Sequence, residues 1–360
     1  MPKVVGQPIV LLTGAGASKE IGYPLTDELL TRFQQGPVSE EARFVLGVVP
    51  SESELEQNFE LLRSYLFEIG RLNAADEVSL VEILAKYGLQ DHLEPFKRNG
   101  LPPIITSHER LDNALSQLIL KTFSGESIAH PDSIWSPVRT WSGVLDYFAM
   151  RLGPDFLLPI FTTNYDPSLD LLNGQWSFKG KSLNVRSHFT DDRFQRYRHG
   201  FAERVAVPTI FSCHLHGKPD YYKFQDIIDG TSVISRHNTA NPPLADRLIV
   251  QPRLNFKGEQ LKQEPFKTFY SAFDECLQAA RLLVLIGHSL RDIELVEVVR
   301  NRLVSNQALK LIWVNPEASS NLNRITAGQR ELESRIVPVE CYFPQDSQTI
   351  IKKIDEAFAG

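Results

Sequence analysis

Cysteine is scarce in this chain: Cys213, Cys276 and Cys341 are the only three in 360 residues. No two of them form a C-x-x-C pair, so a four-cysteine zinc site is excluded and a disulfide scaffold is disfavoured. Long apolar runs are missing as well. The longest are roughly six to eight residues, against the ~20 that a membrane-spanning helix needs. No basic, apolar leader opens the chain, so secretion is not signalled and the cytoplasm is the expected compartment. Nor is there an excess of positive charge. Acids number 44 and bases 38, a net charge of −6, which argues against direct nucleic-acid binding over a broad surface.

What is present is globular material. Hydrophobic residues make up 42% and charged residues 23%, which excludes disordered and collagen-like chains. The length corresponds to about two domains.

Six short apolar runs stop abruptly at polar residues or glycine, the pattern of buried parallel strands. They are Pro8 to Thr13, Phe156 to Thr163, Thr209 to His216, Leu282 to Ile286, Leu309 to Val314 and Arg335 to Phe343, with a closing helix near Asp346 to Phe358. Strands alternating with helical patterns predict a doubly wound, mainly parallel Rossmann-like α/β sheet, whose ligands sit beyond the strands' carboxyl ends. About 140 residues separate the first two strands, far more than the dozen or so that a crossover needs. Ser51-x-x-Glu54 there is a capping-box pattern, followed at helical spacing by Leu55, Phe59, Leu62, Leu66 and Ile69. Leu111, Leu115, Leu118 and Ile119 form a second stripe, and Val138, Trp141, Leu145, Phe148 and Leu152 a third. The expected division is therefore a core of residues 1–34 and 156–360, with 172–208 and 218–267 forming a small loop-rich lobe, and an inserted helical subdomain at 35–155. Such an insert can gate the site or carry a subunit contact.

The unusual polar residues stand at the strand ends. Gly14-Ala15-Gly16-Ala17-Ser18 follows the first strand, where small residues let backbone N–H groups approach a phosphate and a following helix adds its dipole. A tight turn without a ligand is the alternative. Lys19 occupies the third glycine position of the dinucleotide fingerprint, which disfavours an ordinary dehydrogenase. Thr162-Thr163-Asn164-Tyr165-Asp166 ends the second strand, where Asn164 and Asp166 can face a ligand or form an Asx-turn before Pro167. In His214-Leu215-His216-Gly217, period-two geometry places both imidazoles on one side, so a metal must be weighed; nothing nearby completes a ligand set. His216 is placed to serve as a general base, or as a structural histidine. Gly287-His288-Ser289-Leu290-Arg291-Asp292 offers close approach at Gly287, a hydroxyl at Ser289 and a helix cap at Arg291 or Asp292. Asn315, before Pro316, can bond a ribose or an adenine edge.

The order of these motifs resembles the sirtuin-like NAD-consuming fold over 4–30 and 156–343. By that resemblance Gly14, Ala15, Gly16 and Ser18 cradle the pyrophosphate. Asn164 and Asp166, with Thr163 and Tyr165 from the same run, line the nicotinamide and ribose pocket. His216 is the base at the ribose, and Gly287, Ser289 and Asn315 hold the adenosine half. Protein-deacylating sirtuins carry a four-cysteine zinc lobe and a Gly-x-Pro-x-Phe-Arg run. This chain has no such lobe, reads Gly22-Tyr23-Pro24-Leu25-Thr26-Asp27, and has Thr163 in place of a glutamine. The pattern looks most like the zinc-free, NAD-hydrolysing branch of prokaryotic antiphage defence systems. It implies NAD as substrate with no cofactor and no metal, catalysis by Asn164, Asp166 and His216, and a homo-oligomer or an ATPase/helicase or Argonaute-type partner that gates activity. An acyl-lysine deacylase or ADP-ribosyltransferase using the same pocket is the runner-up, and a non-catalytic nucleotide sensor or scaffold is the alternative of a different class.

Overall fold

The computed structural model describes residues 9–25, 136–190, 193–195, 205–225, 232–236, 245–250 and 260–359, with isolated residues and short helical pieces between 28 and 123. The chain divides into two compact units, Met1–Tyr23 with Phe123–Ile249 and Leu261–Gly360, and Pro24–Thr122 with Val250–Gln260.

The first unit is built on a parallel sheet of seven strands. In chain order they are β1 (Ile9–Thr13), β2 (Leu157–Thr162), β3 (Asn184–Arg186), β4 (Thr209–His214), β5 (Leu282–Ile286), β6 (Lys310–Val314) and β7 (Ile336–Val339). Their spatial order is β7-β6-β5-β1-β2-β4-β3. All adjacent pairs are parallel. The chain therefore steps from β1 to one side through β2 and β4, then returns to build β5, β6 and β7 on the other. The doubly wound expectation is met, with β3 as an edge strand the six apolar runs did not include. Its sequence, Asn-Val-Arg, is short and half-exposed, so it lacks the apolar run of a strand buried on both faces.

Helices cover both faces. α2 (Pro137–Leu152) starts with Ser136 accepting the Arg139 N–H and with proline in the first turn, a strong N-terminal signal. Its buried stripe of Trp141, Val144, Leu145 and Phe148 joins Ile9, Leu11, Ile160, Val284 and Ile312 of the sheet and Ile350 and Ile354 of α5 (Ser347–Ala359) in one core. Residues Leu12, Phe161 and Leu285 alternate with those and point to the opposite face. There α3 (Phe266–Ala279) places Phe273 with its ring centroid 4.9 Å from that of Phe161; burying such a side chain stabilises the fold by about 1.5–3 kcal/mol. α4 (Ile293–Ser305) packs beside α3. The stripe from Val138 to Leu152, expected within the inserted subdomain, is thus a covering layer of this sheet, because its apolar positions find their partners there.

Pairing of β2 with β1 begins at Ile160, directly after Pro159, which has no N–H to give a neighbour. Pro338 is tolerated in β7 because β7 is an edge. A second, antiparallel sheet comprises residues 217–225, 232–236, 245–249, 193–194 and 189–190. A two-stranded ribbon joins 177–178 to 181–182. In the second unit the described pieces include α1 (Glu77–Lys86), whose Lys86 pairs with Glu68 at 2.6 Å, and buried Leu66 and Ile69. The capping box at Ser51 and Glu54, and Leu55, Phe59, Leu62, Leu111 and Leu115, lie outside the described residues. Among the described residues no helix is long and apolar enough to cross a membrane.

His188 is buried among the rings of Phe211 and Phe269, and that burial pulls its pKa down to about 4. The unfolded chain protonates this side chain near its ordinary value of about 6.5, whereas the folded one does not until the pH is much lower. Between those values the unfolded state binds the extra proton. Stability should therefore fall as pH drops from about 7 towards about 4, by at most ~1.4 kcal/mol per pH unit for this group. Urea titrations across that window check it: a His188→Leu variant should show a shallower decline, whatever its own midpoint.

Candidate functional site

Strand register sets the site. Thr13 lies beside Ile286 on one side and Thr162 on the other; Thr162 lies beside His214, and Ile286 beside Val314. Residues just past these positions share the carboxyl edge of the sheet. Gly14, Thr163, Asn164, His216, Gly287 and Asn315 are all such residues, which is where open α/β sheets bind ligands. Asn164 and His216 each stand two residues beyond a paired position on adjacent strands.

Sequence reasoning offered two readings of the glycine loop, and its geometry carries much of the turn reading. Residues 15–17 and 19–21 form single 3-10 turns. The N–H groups of Gly14, Gly16, Ala17 and Ser18 donate to the carbonyls of Ile286, Gly287, Gly14 and Ala15. The small residues serve a close contact between chains of backbone. A Cβ on Gly287 (φ +65°) would lie 2.3 Å from the Ala17 nitrogen, and one on Gly16 would lie 2.9 Å from the Gly287 Cα. Both distances are shorter than real side chains permit.

Asn164 ties this loop to β2. Its Nδ2 donates to the Gly14 carbonyl at 2.9 Å and to Ser18 Oγ at 3.0 Å, and its own N–H donates to Thr162 Oγ1 at 3.0 Å. Oδ1 is the atom that Asn164 retains for a ligand. Ser18 Oγ also shares a hydrogen bond with Ser168 Oγ, so the hydroxyl expected at the pyrophosphate is engaged within the fold. Asp166 Oδ1 accepts the Ser168 N–H at 3.0 Å, the Asx-turn arrangement. Thr163 is bonded to the Thr13 carbonyl through its N–H and at 3.4 Å through its hydroxyl.

The two histidines part company. β4 ends at His214, the chain turns at Leu215 and His216, and a new strand starts at Gly217. Strand alternation therefore stops short of His216. The His214 ring faces the Asn164 carbonyl at 3.0 Å, with Nδ1 as donor, while its Nε2 has no hydrogen-bond partner and lies 4.0 Å from Asp170. Burial, aided by the Lys218 ammonium, lowers the His214 pKa and keeps the ring neutral. Asp170 sits in a network with Lys218, and with Arg236 at 3.3 Å, while Arg236 reaches Asp220 at 2.9 Å. Burial alone would raise the Asp170 pKa, but the Lys218 ammonium and the Arg236 guanidinium hold it below the usual carboxylate range.

His216 has a different set of neighbours. Its Nε2 lies 3.0 Å from Asp292 Oδ2 and 3.2 Å from the Tyr270 hydroxyl, and its ring stands 6.5 Å from that of Tyr165. Tyr165 in turn packs on Phe123, which stacks on Tyr23. Further along the edge, Asn315 Oδ1 accepts the Glu317 N–H at 2.8 Å and its Nδ2 reaches the His288 carbonyl at 3.4 Å. The exposed Ser289 is anchored through its carbonyl by Arg324 at 2.7 Å.

Asp292, Tyr270, Ser168 and Asp170 were absent from the expected site. Asp292 was legible only as a helix cap, a role it fills by accepting the Leu295 N–H; nothing in the sequence ties it to a histidine 76 positions earlier. All three cysteines are buried, and burial raises each thiol, Cys341 to about 11. None is a thiolate near neutral pH. Among the described residues no group of three or more His, Cys, Asp or Glu is placed to hold a metal ion.

No family model and no curated protein matches the chain. Among solved structures it is similar to a Sir2 homolog–NAD complex, at 14% identity over 98% of this chain and 91% of that one, with a TM-score of 0.42. It is also similar to a Sir2 homologue mutant–ADP-ribose complex, at 13% identity over 99% and 96% with a TM-score of 0.43. The similarity is one of fold.

The interlock of the loops after β1 and β5 can be tested by thermal melting. Gly174 shares a left-handed backbone (φ +69°) but has nothing within 4 Å of an added Cβ. Gly174→Ala should therefore cost only the backbone strain, about 1–2 kcal/mol. Gly287→Ala adds a collision with backbone and should lower the midpoint much further or prevent folding. Equal midpoints for the two variants would contradict the close packing.

Proposed function

We propose that this protein is an NAD glycohydrolase that cleaves NAD to nicotinamide and ADP-ribose. The observation carrying this reading is the placement of Asn164 and His216 two residues past a paired register position on adjacent strands, each held by buried partners. The order of the strand-end motifs adds to it. Cleavage breaks the bond between the nicotinamide nitrogen and the ribose carbon, and the electron pair leaves with neutral nicotinamide. The ribose carbon gains oxocarbenium character, as in other glycoside cleavages. Asn164 would offer Oδ1 to a ribose hydroxyl or to the attacking water, since both Nδ2 hydrogens are engaged. His216 would accept the proton released as water adds. Asp166, whose Oδ1 is held by the Ser168 N–H, would offer its other oxygen to the carboxamide.

An ungated enzyme of this kind would drain the NAD of its own cell. We therefore propose that assembly or a second protein controls it, with the residues between the loop after β1 and α2 as the place for that control, and that it acts as a cytoplasmic NAD-depleting effector of antiphage defence.

Liquid chromatography of NAD incubated with the purified chain, and of extracts from cells producing it, provides the test. Free ADP-ribose and nicotinamide should appear without any acylated or other acceptor. Asn164→Ala and His216→Ala should each lower turnover by ~10²-fold or more. Exhaustive chelation should leave the rate unchanged. NAD recovered intact from both experiments, or near-normal turnover in both folded variants, would overturn the reading. Products that form only with an acyl-lysine peptide or a protein acceptor would favour the transferase and deacylase reading.

A further inference from the structure

We infer that Asp292 is a positioning residue that fixes the His216 ring with its hydrogen on Nε2, leaving Nδ1 to take the substrate proton. The inference rests on the proposed role of His216 as base. Asp292 occupies two posts at once. Its Oδ1 caps α4 by accepting the Leu295 N–H at 3.3 Å, and its Oδ2 lies 3.0 Å from His216 Nε2. The two side chains are only 5% and 7% exposed, so water does little to weaken the contact. An ionised carboxylate can only accept. A ring nitrogen that close to it must therefore carry a hydrogen, and in a neutral imidazole the other nitrogen then carries the lone pair.

The cap alone does not require aspartate. Serine, threonine and asparagine cap helices about as well. What aspartate adds is a second acceptor, and that second acceptor is directed at His216. Tyr270 supports the arrangement from the same side, with its hydroxyl 3.2 Å from Nε2. Burial and the neighbouring Asp292 carboxylate raise its pKa, so it remains a neutral hydroxyl able to accept from the shared N–H. The logic is that of a carboxylate which orients a catalytic imidazole and selects its tautomer without itself taking the proton.

Asparagine at this position discriminates between the two posts. Its carbonyl oxygen must stay with the Leu295 N–H to keep the cap, which turns its NH2 towards His216. A donor facing Nε2 demands the lone pair there and moves the ring hydrogen to Nδ1, so the base is lost while the helix end survives. Serine at 292 keeps the cap and contacts nothing beyond it.

The experiment is nitrogen NMR of the full chain labelled at histidine, with His216→Ala to assign the signal, read beside nicotinamide release. The wild-type ring should show the hydrogen on Nε2 in its neutral form. Asp292→Asn should show it on Nδ1, with kcat lowered ~10²-fold or more and KM little changed, at a near-native melting temperature. Asp292→Ser should fold normally and show a mixed tautomer with an intermediate kcat, and it serves if the asparagine variant does not fold. A wild-type ring with its hydrogen on Nδ1 would overturn the inference, as would a folded Asp292→Asn that keeps kcat. If the wild type releases no nicotinamide, the glycohydrolase reading fails while the tautomer still decides whether Asp292 sets the ring.

Discussion

The backbone contact between the loops after β1 and β5 is the constraint on which the site depends. Gly16 donates to the Gly287 carbonyl, Gly14 to that of Ile286, and Gly287 to that of Val314. No side chain fits between them. This contact fixes where the Gly14 carbonyl and Ser18 hydroxyl stand, and those are the two groups that hold the Asn164 amide. The loop after β5 thus helps to set the pose of an asparagine two residues past β2. Under the proposed function, a group held in this way would need no reorganisation at the moment of reaction, which is where preorganised polar sites gain their advantage.

Asn164 is consequently a structural brace as well as a candidate reacting residue. Its N–H, its carbonyl and both amide hydrogens are engaged by Thr162, His214, Gly14 and Ser18. Each of these bonds is worth about 1 kcal/mol net, and each leaves a buried orphan if its partner is removed. The two roles agree, because engaging the amide nitrogen is what frees Oδ1 alone and points it one way. Melting temperature and turnover must therefore be read together for any change at this residue.

The sheet was legible in the sequence because its strands are buried on both faces and read as unbroken apolar runs; Leu282–Ile286 coincides with its strand to the residue. The strand ends were legible for the same reason, since a polar residue that interrupts such a run must lie beyond it. What local reading could not supply was partnership across the fold. Asp292 reads as a cap and Ser18 as a phosphate ligand, and Tyr270 carries no local signal; within the chain they meet residues from 54 to 150 positions away. The covering helix at 137–152 was assigned by sequence position to the insert, whereas its apolar stripe is complementary to the sheet.

The histidine pair shows how a local rule stops at an element's end. Alternation holds along β4 and would have put His214 and His216 on one side, as a metal site needs. The strand ends at His214, and the turn carries His216 to other neighbours. From there the surroundings separate the chemistry. His214 is enclosed beside Lys218, which opposes protonation, and it spends one nitrogen on the Asn164 main chain. His216 faces the Asp292 carboxylate, its Nε2 3.0 Å from Oδ2. Two identical side chains two residues apart thus take different places: one holds the asparagine main chain, and the other pairs with a buried carboxylate and a tyrosine hydroxyl.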